Sequence, residues 1–147
     1  MYKRQGHTYL AHPVACAAAH AVLSKIIDSD LPSRAIMMGD KLMQALQSAF
    51  GQHPFIGDIR GRGLFIGMEF VADRAQKTPF DPALGLHRKI KAAAFEAGLL
   101  CYPMGGTIDG KNGDHLLLAP PFILEDSHIG EIIDKLTIAF DAAMPPA

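Results

Sequence analysis

Leu99-Leu100-Cys101-Tyr102-Pro103-Met104-Gly105-Gly106-Thr107-Ile108-Asp109-Gly110-Lys111-Asn112-Gly113-Asp114-His115-Leu116-Leu117-Leu118-Ala119 is the stretch whose reading decides the fold class. Two short apolar runs, Leu99 to Met104 and His115 to Ala119, flank ten residues dense in glycine, aspartate and asparagine. Runs of this length bounded by turn formers read as strands, and the segment between them as a hairpin-like connection. It carries no Gly-Lys-Ser/Thr signature, so an anion-cradling loop is the weaker reading. Pro120-Pro121 ends the second strand, because proline cannot donate to a ladder.

Moving outward, helical spacing surrounds this hairpin. Upstream, Leu86, Ile90, Ala93 and Ala94 predict a helix over 83–97 that Gly98 stops. Downstream, Ile129, Ile132, Ile133, Leu136, Phe140 and Ala143 form one apolar face, with Glu125 or Asp126 as the cap. A period of two returns at Leu64, Ile66, Met68 and Phe70, a third strand. Asp58-Ile59-Arg60-Gly61-Arg62-Gly63, just before it, reads as a tight bend. It is not a dinucleotide loop, since the glycines are wrongly spaced and precede a strand rather than a helix. The polar segment 72–82 reads as an exposed loop. Ile36, Gly39, Leu42, Met43, Leu46 and Phe50 predict a helix from Leu31 to the stop at Gly51. From Pro13 to about Ser29 the helix is apolar or small nearly all round, which predicts burial on several sides, in a core or at a subunit interface. The expected class is α+β: a small, mostly antiparallel sheet covered by helices.

Composition narrows the function. The 147 residues suffice for one domain with a real core. A formal net charge of -1, with both signs mixed along the chain, gives no electrostatic case for nucleic acid or a membrane surface. No apolar stretch could span a bilayer and no signal-peptide core follows Met1, so a cytoplasmic protein is expected. Cys16 and Cys101 have no CxxC neighbour and read as buried free thiols. The seven histidines share no metal-ligand spacing, so no metal site is expected; His53, His87 and His128 read as surface or structural residues.

Chemistry concentrates at the start. Gly6-His7-Thr8-Tyr9-Leu10-Ala11-His12-Pro13 places a hydroxyl, two imidazoles and a phenol before a helix whose first residue is a proline. The unpaired N–H groups of such a helix mouth favour an anion, and Thr8 is near enough to add its hydroxyl. Gly-His-Thr-Tyr-x-x-His-Pro-x-Ala-Cys-Ala-Ala-Ala resembles a segment of the class III aminotransferases, pyridoxal-phosphate (PLP) enzymes of fold type I. Asp58-x-Arg60-Gly61-x-Gly63-Leu64, Gly98 to Pro103 and Gly113 to Pro121 are similar to the same family, in the same order, so the likeness runs along almost the whole chain.

The resemblance implies a single C-terminal aminotransferase-like domain over 1–147: a cofactor and interface segment with a long helix over 1–30, then a small α+β domain over 31–147. It also implies that Thr8 binds the PLP phosphate across a homodimer interface, with Tyr9 beside it. The cofactor would be shared with an N-terminal portion absent from this sequence and with a partner subunit. The Schiff-base lysine of the family lies upstream of the matching motif, and no lysine here stands in a comparable context, so no catalytic residue is assigned and the chain alone is expected to be inactive. Many members clamp a substrate carboxylate with an arginine near the strand matching Cys101 to Met104. Here that strand carries Tyr102, which becomes the candidate substrate-pocket residue, for stacking, hydrogen bonding or packing. The implied reaction moves an amino group between an amine or amino acid and a 2-oxo acid such as pyruvate. The alternative is a stand-alone module with an oligomerising or anion-binding role and no catalysis.

Overall fold

The structure is a computed structural model and describes Gly6, Thr8 and residues 10–145. Helix α1 (Pro13–Asp28) leads into α2 (Leu31–Phe50), then strands β1 (Ile56–Arg62) and β2 (Phe65–Phe70). A short 3-10 turn (Pro82–Leu84) precedes α3 (Leu86–Glu96), followed by β3 (Tyr102–Gly105), β4 (Asp114–Leu118) and α4 (Asp126–Ala143). The strands form one four-stranded sheet in the order β1-β2-β4-β3, every neighbouring pair antiparallel. The α+β expectation holds, and the sheet is antiparallel throughout.

One face of the sheet is the core. Ile66, Met68 and Phe70 alternate inward from β2, and Leu116 and Leu118 from β4. Met38, Leu42, Leu46 and Phe50 of α2 meet them, as do Ile90 of α3 and Ile132, Leu136 and Phe140 of α4. Phe140 sits at the junction, its ring 5.0 Å from that of Phe50 and 5.5 Å from that of Phe70, both edge-on, the geometry aromatic quadrupoles favour. Gly39 of α2 lies against the backbone of Gly63, where any Cβ would collide; this glycine lets the helix approach the β1–β2 turn. The cap of α4 is the expected Glu125, whose N–H donates to His128 Nδ1 at 3.1 Å.

Three expectations need correction. The 58–63 segment is most of a strand, not a bend: Asp58 to Arg62 pair with Glu69 to Phe65, and only Gly63 and Leu64 make the turn. Of the two settings expected for α1, the core of this chain is excluded: the helix has no buried residue, it leans on α2, and Val14, Val22, Leu23 and Ile27 are all more than half exposed. Its all-round apolar surface would need cover on several sides, and its contact with α2 leaves every residue of the helix unburied. The cysteines also differ from expectation: Cys16 is exposed and Cys101 half-buried, and burial pushes the Cys101 thiol up to about 11.

These placements predict unequal costs for two apolar truncations. Phe140→Ala leaves a cavity at the aromatic junction and costs ~3–5 kcal/mol of unfolding free energy, whereas Val22→Ser on α1 stays within roughly 0.5 kcal/mol. Urea unfolding of both variants of the isolated chain checks this; a loss at Val22 comparable to that at Phe140 would show α1 to be part of the core.

Candidate functional site

The other face of the sheet is open, and the register decides which side chains it shows. Directly paired residues share a face, so Arg60, Gly67, Leu117 and Tyr102 form one cross-strand row, and Asp58, Glu69, His115 and Met104 the next. Phe65 and Tyr102 are 59% and 56% exposed, an unusual amount for aromatic side chains in a sheet. Between Phe65 and Leu117, with Gly67 on the floor, lies a cleft of about 320 Å³. Arg60 and Glu69 stand at one side, Thr107 and His115 at another.

Arg60 is not a free clamp. Its Nη1 is 2.7 Å from Asp58 Oδ2 and 3.4 Å from Glu69 Oε2, and the hydrogen bond to Asp58 leads in raising its pKa above the ordinary arginine value. The face thus presents a neutralised guanidinium beside apolar and aromatic surface. At the other side Thr107 Oγ1 lies 2.6 Å from His115 Nδ1 and 3.4 Å from the Gly113 carbonyl.

The glycine-rich connection forms the rim. Gly106 N–H donates to the Gly113 carbonyl at 2.8 Å, and Ile108 N–H to that of Asn112 at 3.0 Å. Asp109 Oδ1 accepts from the N–H groups of Lys111 and Asn112, while the Asn112 amide reaches Asp109 Oδ2. Gly113 has φ +88, which favours glycine, and a Cβ there would lie 2.9 Å from Ile108. The hairpin expectation is met, with Gly105 and Asp114 the last pair before the loop.

Thr8 occupies an exposed turn ahead of α1. Pro13 is the first helical residue, the carbonyl of His12 accepts from Cys16 at 2.9 Å, and among the described residues no side chain caps the helix. Tyr9 lies outside the described residues. Tyr102 is on the open sheet face, on a different element from Thr8, and no hydrogen bond joins the two. Among the described residues no lysine is buried; Lys77, with φ +52, is exposed in the 72–82 loop. None is therefore enclosed by apolar groups, the setting a lysine used for covalent chemistry needs. Among the same residues no group of three or more His, Cys, Asp or Glu side chains could hold a metal ion.

Sequence reasoning also missed a contact on the covered side of the sheet. His87, read as a surface or structural residue, has Nδ1 2.6 Å from Oδ1 of Asp114, a buried carboxylate. The pair is 27 residues apart, and Asp114 sits among turn formers, so only the packing of α3 against the β3–β4 hairpin exposes it.

Both the order of elements and the motifs along them can be matched against known proteins. The sequence family described as aminotransferase class III matches residues 2–140. The chain belongs to the class III aminotransferases. An uncharacterized aminotransferase of Schizosaccharomyces pombe is 45% identical over 130 residues, which is 88% of this chain and 28% of the yeast protein. The crystal structure of a Bacillus anthracis aminotransferase superimposes with a TM-score of 0.84 at 35% identity, covering 95% of this chain and 30% of that one. A PLP-bound amine transaminase from an uncultivated Pseudomonas species superimposes with a TM-score of 0.80 at 34% identity, covering 95% and 30%. This class III aminotransferase sequence therefore spans less than a third of the length of the relatives it matches, and PLP is the cofactor of its family. Among the described residues no helix is long and apolar enough to cross a membrane.

The rim loop generates a pH prediction. Hydrogen bonds from Asn112, backbone first and then side chain, followed by one from the Lys111 N–H, hold Asp109 below its ordinary carboxylate value. A depressed folded pKa means that the bonds are present above the unfolded value and are lost as pH falls through the folded one. The amide resonances of Lys111 and Asn112 should titrate together with a midpoint below about 3.9. A midpoint at or above that value would contradict the geometry of the loop.

Proposed function

We propose that this chain is the C-terminal part of a PLP-dependent aminotransferase that moves an amino group between an amine or amino acid and a 2-oxo acid such as pyruvate. The observation that carries the reading is the family match along residues 2–140, joined to a fold that superimposes on solved transaminases over nearly the whole chain. We place the protein in the cytosol, working as a homodimer through its N-terminal segment.

The residues present suit one end of the cofactor. Thr8 carries an exposed hydroxyl upstream of a helix whose early N–H groups at Val14 and Ala15 have no intrahelical acceptor. Hydroxyl and N–H donors together favour a phosphate dianion. Bound PLP supplies the electron sink for breaking bonds at the amine-bearing carbon. Thr8 would donate to a phosphate oxygen in the neighbouring subunit's site, and Tyr9, next in sequence, would stand beside it. Tyr102 would line the substrate pocket, its ring offering a stacking surface and its hydroxyl a single hydrogen bond. With no buried lysine among the described residues, the group that holds the cofactor covalently and moves the proton would come from the remainder of the polypeptide.

Two measurements test this reading. The isolated chain, mixed with PLP, an amine donor and pyruvate, should show no transamination; turnover would overturn the assignment of the lysine to another segment. In a polypeptide where this segment follows a lysine-bearing portion, pyruvate-dependent amine consumption should appear. There, Thr8→Ala should weaken PLP retention by about 10- to 100-fold, the worth of a hydrogen bond to a charged group. Unchanged retention would remove Thr8 from the phosphate site, and absent turnover would overturn the aminotransferase reading itself.

A further inference from the structure

The contact between His87 and Asp114 lies at the root of the glycine-rich loop. Asp114 opens β4 and faces the covered side of the sheet, between Phe70 on one neighbouring strand and Gly105 on the other. Its side chain is 6% exposed, and its Oδ1 has two donors on α3: the His87 ring at 2.6 Å and the His87 backbone N–H at 3.3 Å. A carboxylate oxygen accepts, so the ring donates through Nδ1. The residue before α3 is Gly85, which has no capping side chain, so this strand carboxylate satisfies an early N–H of the helix from outside it. The ring also fills the space over Gly105, where a Cβ would lie 2.6 Å from it.

One residue further along the chain, His115 projects to the opposite, open face and meets Thr107 at 2.6 Å. Gly113-Asp114-His115 is thus gripped from both sides: by α3 beneath through Asp114, and by the loop above through Thr107. The other hydrogen bonds of the loop 106–113 are internal to it, and those accepted by Asp109 are exposed.

We infer that His87 is a positioning residue which, through the Asp114 carboxylate, fixes the loop 106–113 and with it the Thr107–His115 side of the cleft that Leu117 also lines, Leu117 being the strand partner of Tyr102. Its meaning for substrate binding rests on the proposed function, in which Tyr102 lines the pocket; the clamp itself can be tested without catalysis. His87 is partly exposed, so its replacement need not unfold the domain.

The test uses the 147-residue chain, trypsin, and two exposed sites in one molecule: Lys111 inside the loop and Lys77 in the remote 72–82 loop. His87→Leu removes the donor and should speed cleavage after Lys111 by about tenfold, the scale of a lost hydrogen bond to a charged group, with Lys77 unchanged. His87→Asn returns an N–H donor near the position of Nδ1 and should bring the Lys111 rate back toward that of the original chain. Asp114→Asn, which keeps a side-chain oxygen for the same donors, should fall between them. Equal Lys111 cleavage in the His87→Leu variant and the original chain would overturn the inference. So would acceleration at Lys77 and Lys111 alike, or a His87→Asn variant that behaves like His87→Leu. These are proteolysis rates, so their failure is distinct from a failure of amino transfer, which is read as turnover.

Discussion

The two-sidedness of β2 and β4 is the constraint on which the rest depends. Side chains alternate across a strand, so the positions that bury Ile66, Met68, Phe70, Leu116 and Leu118 against three helices also hold Phe65, Gly67, Glu69, His115 and Leu117 on the open side. The apolar term fixes the register, because a slip of one residue would carry the whole apolar set to the wrong face. The open face inherits its arrangement from that choice. Phe140 reinforces it from α4 by packing edge-on against rings from both the sheet and α2.

Elements with a clear local pattern were legible in the sequence: α2 and α4 from their 3.6-residue stripes, β2 from alternation, and β4 as a short apolar run bounded by turn formers. Strand β1 was not, for a reason the structure supplies. The register shifts between Ile56 and Asp58, so the inward residues Ile56 and Ile59 stand three apart rather than two or four, and Gly61 takes the next inward position. A bulge removes the period by which a strand is recognised. Helix α1 was legible as a helix but not in its surroundings, since apolarity shows that cover is wanted without saying what provides it.

The candidate site divides the same way. Thr8 could be singled out because it stands before a proline-started helix in a stretch that resembles the family's, and Tyr102 because it stands near where many members of the family carry an arginine. The Asp58–Arg60–Glu69 cluster and the His87–Asp114 contact could not, because each depends on strand or helix neighbours distant in sequence. The turn chemistry that revealed the hairpin also concealed Asp114: an aspartate after a glycine in a polar stretch reads as a turn residue, yet here it is the buried polar residue at the start of a strand. Its burial is tolerable only because α3 supplies donors to it.

The bulge in β1 then acquires a role beyond bending an edge. If Gly57 took a regular strand position instead of a bulge, alternation from Ile56 would turn Asp58 and Arg60 toward the helices, where two charged groups would lose water. With it, both lie on the open face opposite Glu69 and Gly67, and the guanidinium is satisfied by two carboxylates while it borders the cleft. The open face thereby combines a neutralised cation with the exposed rings of Phe65 and Tyr102. It offers a surface for apolar bodies with few polar anchors rather than a paired clamp for a second carboxylate. A planar guanidinium grips a carboxylate best with its charge and its fork of donors free, and Arg60 has its Nη1 committed to Asp58 and Glu69.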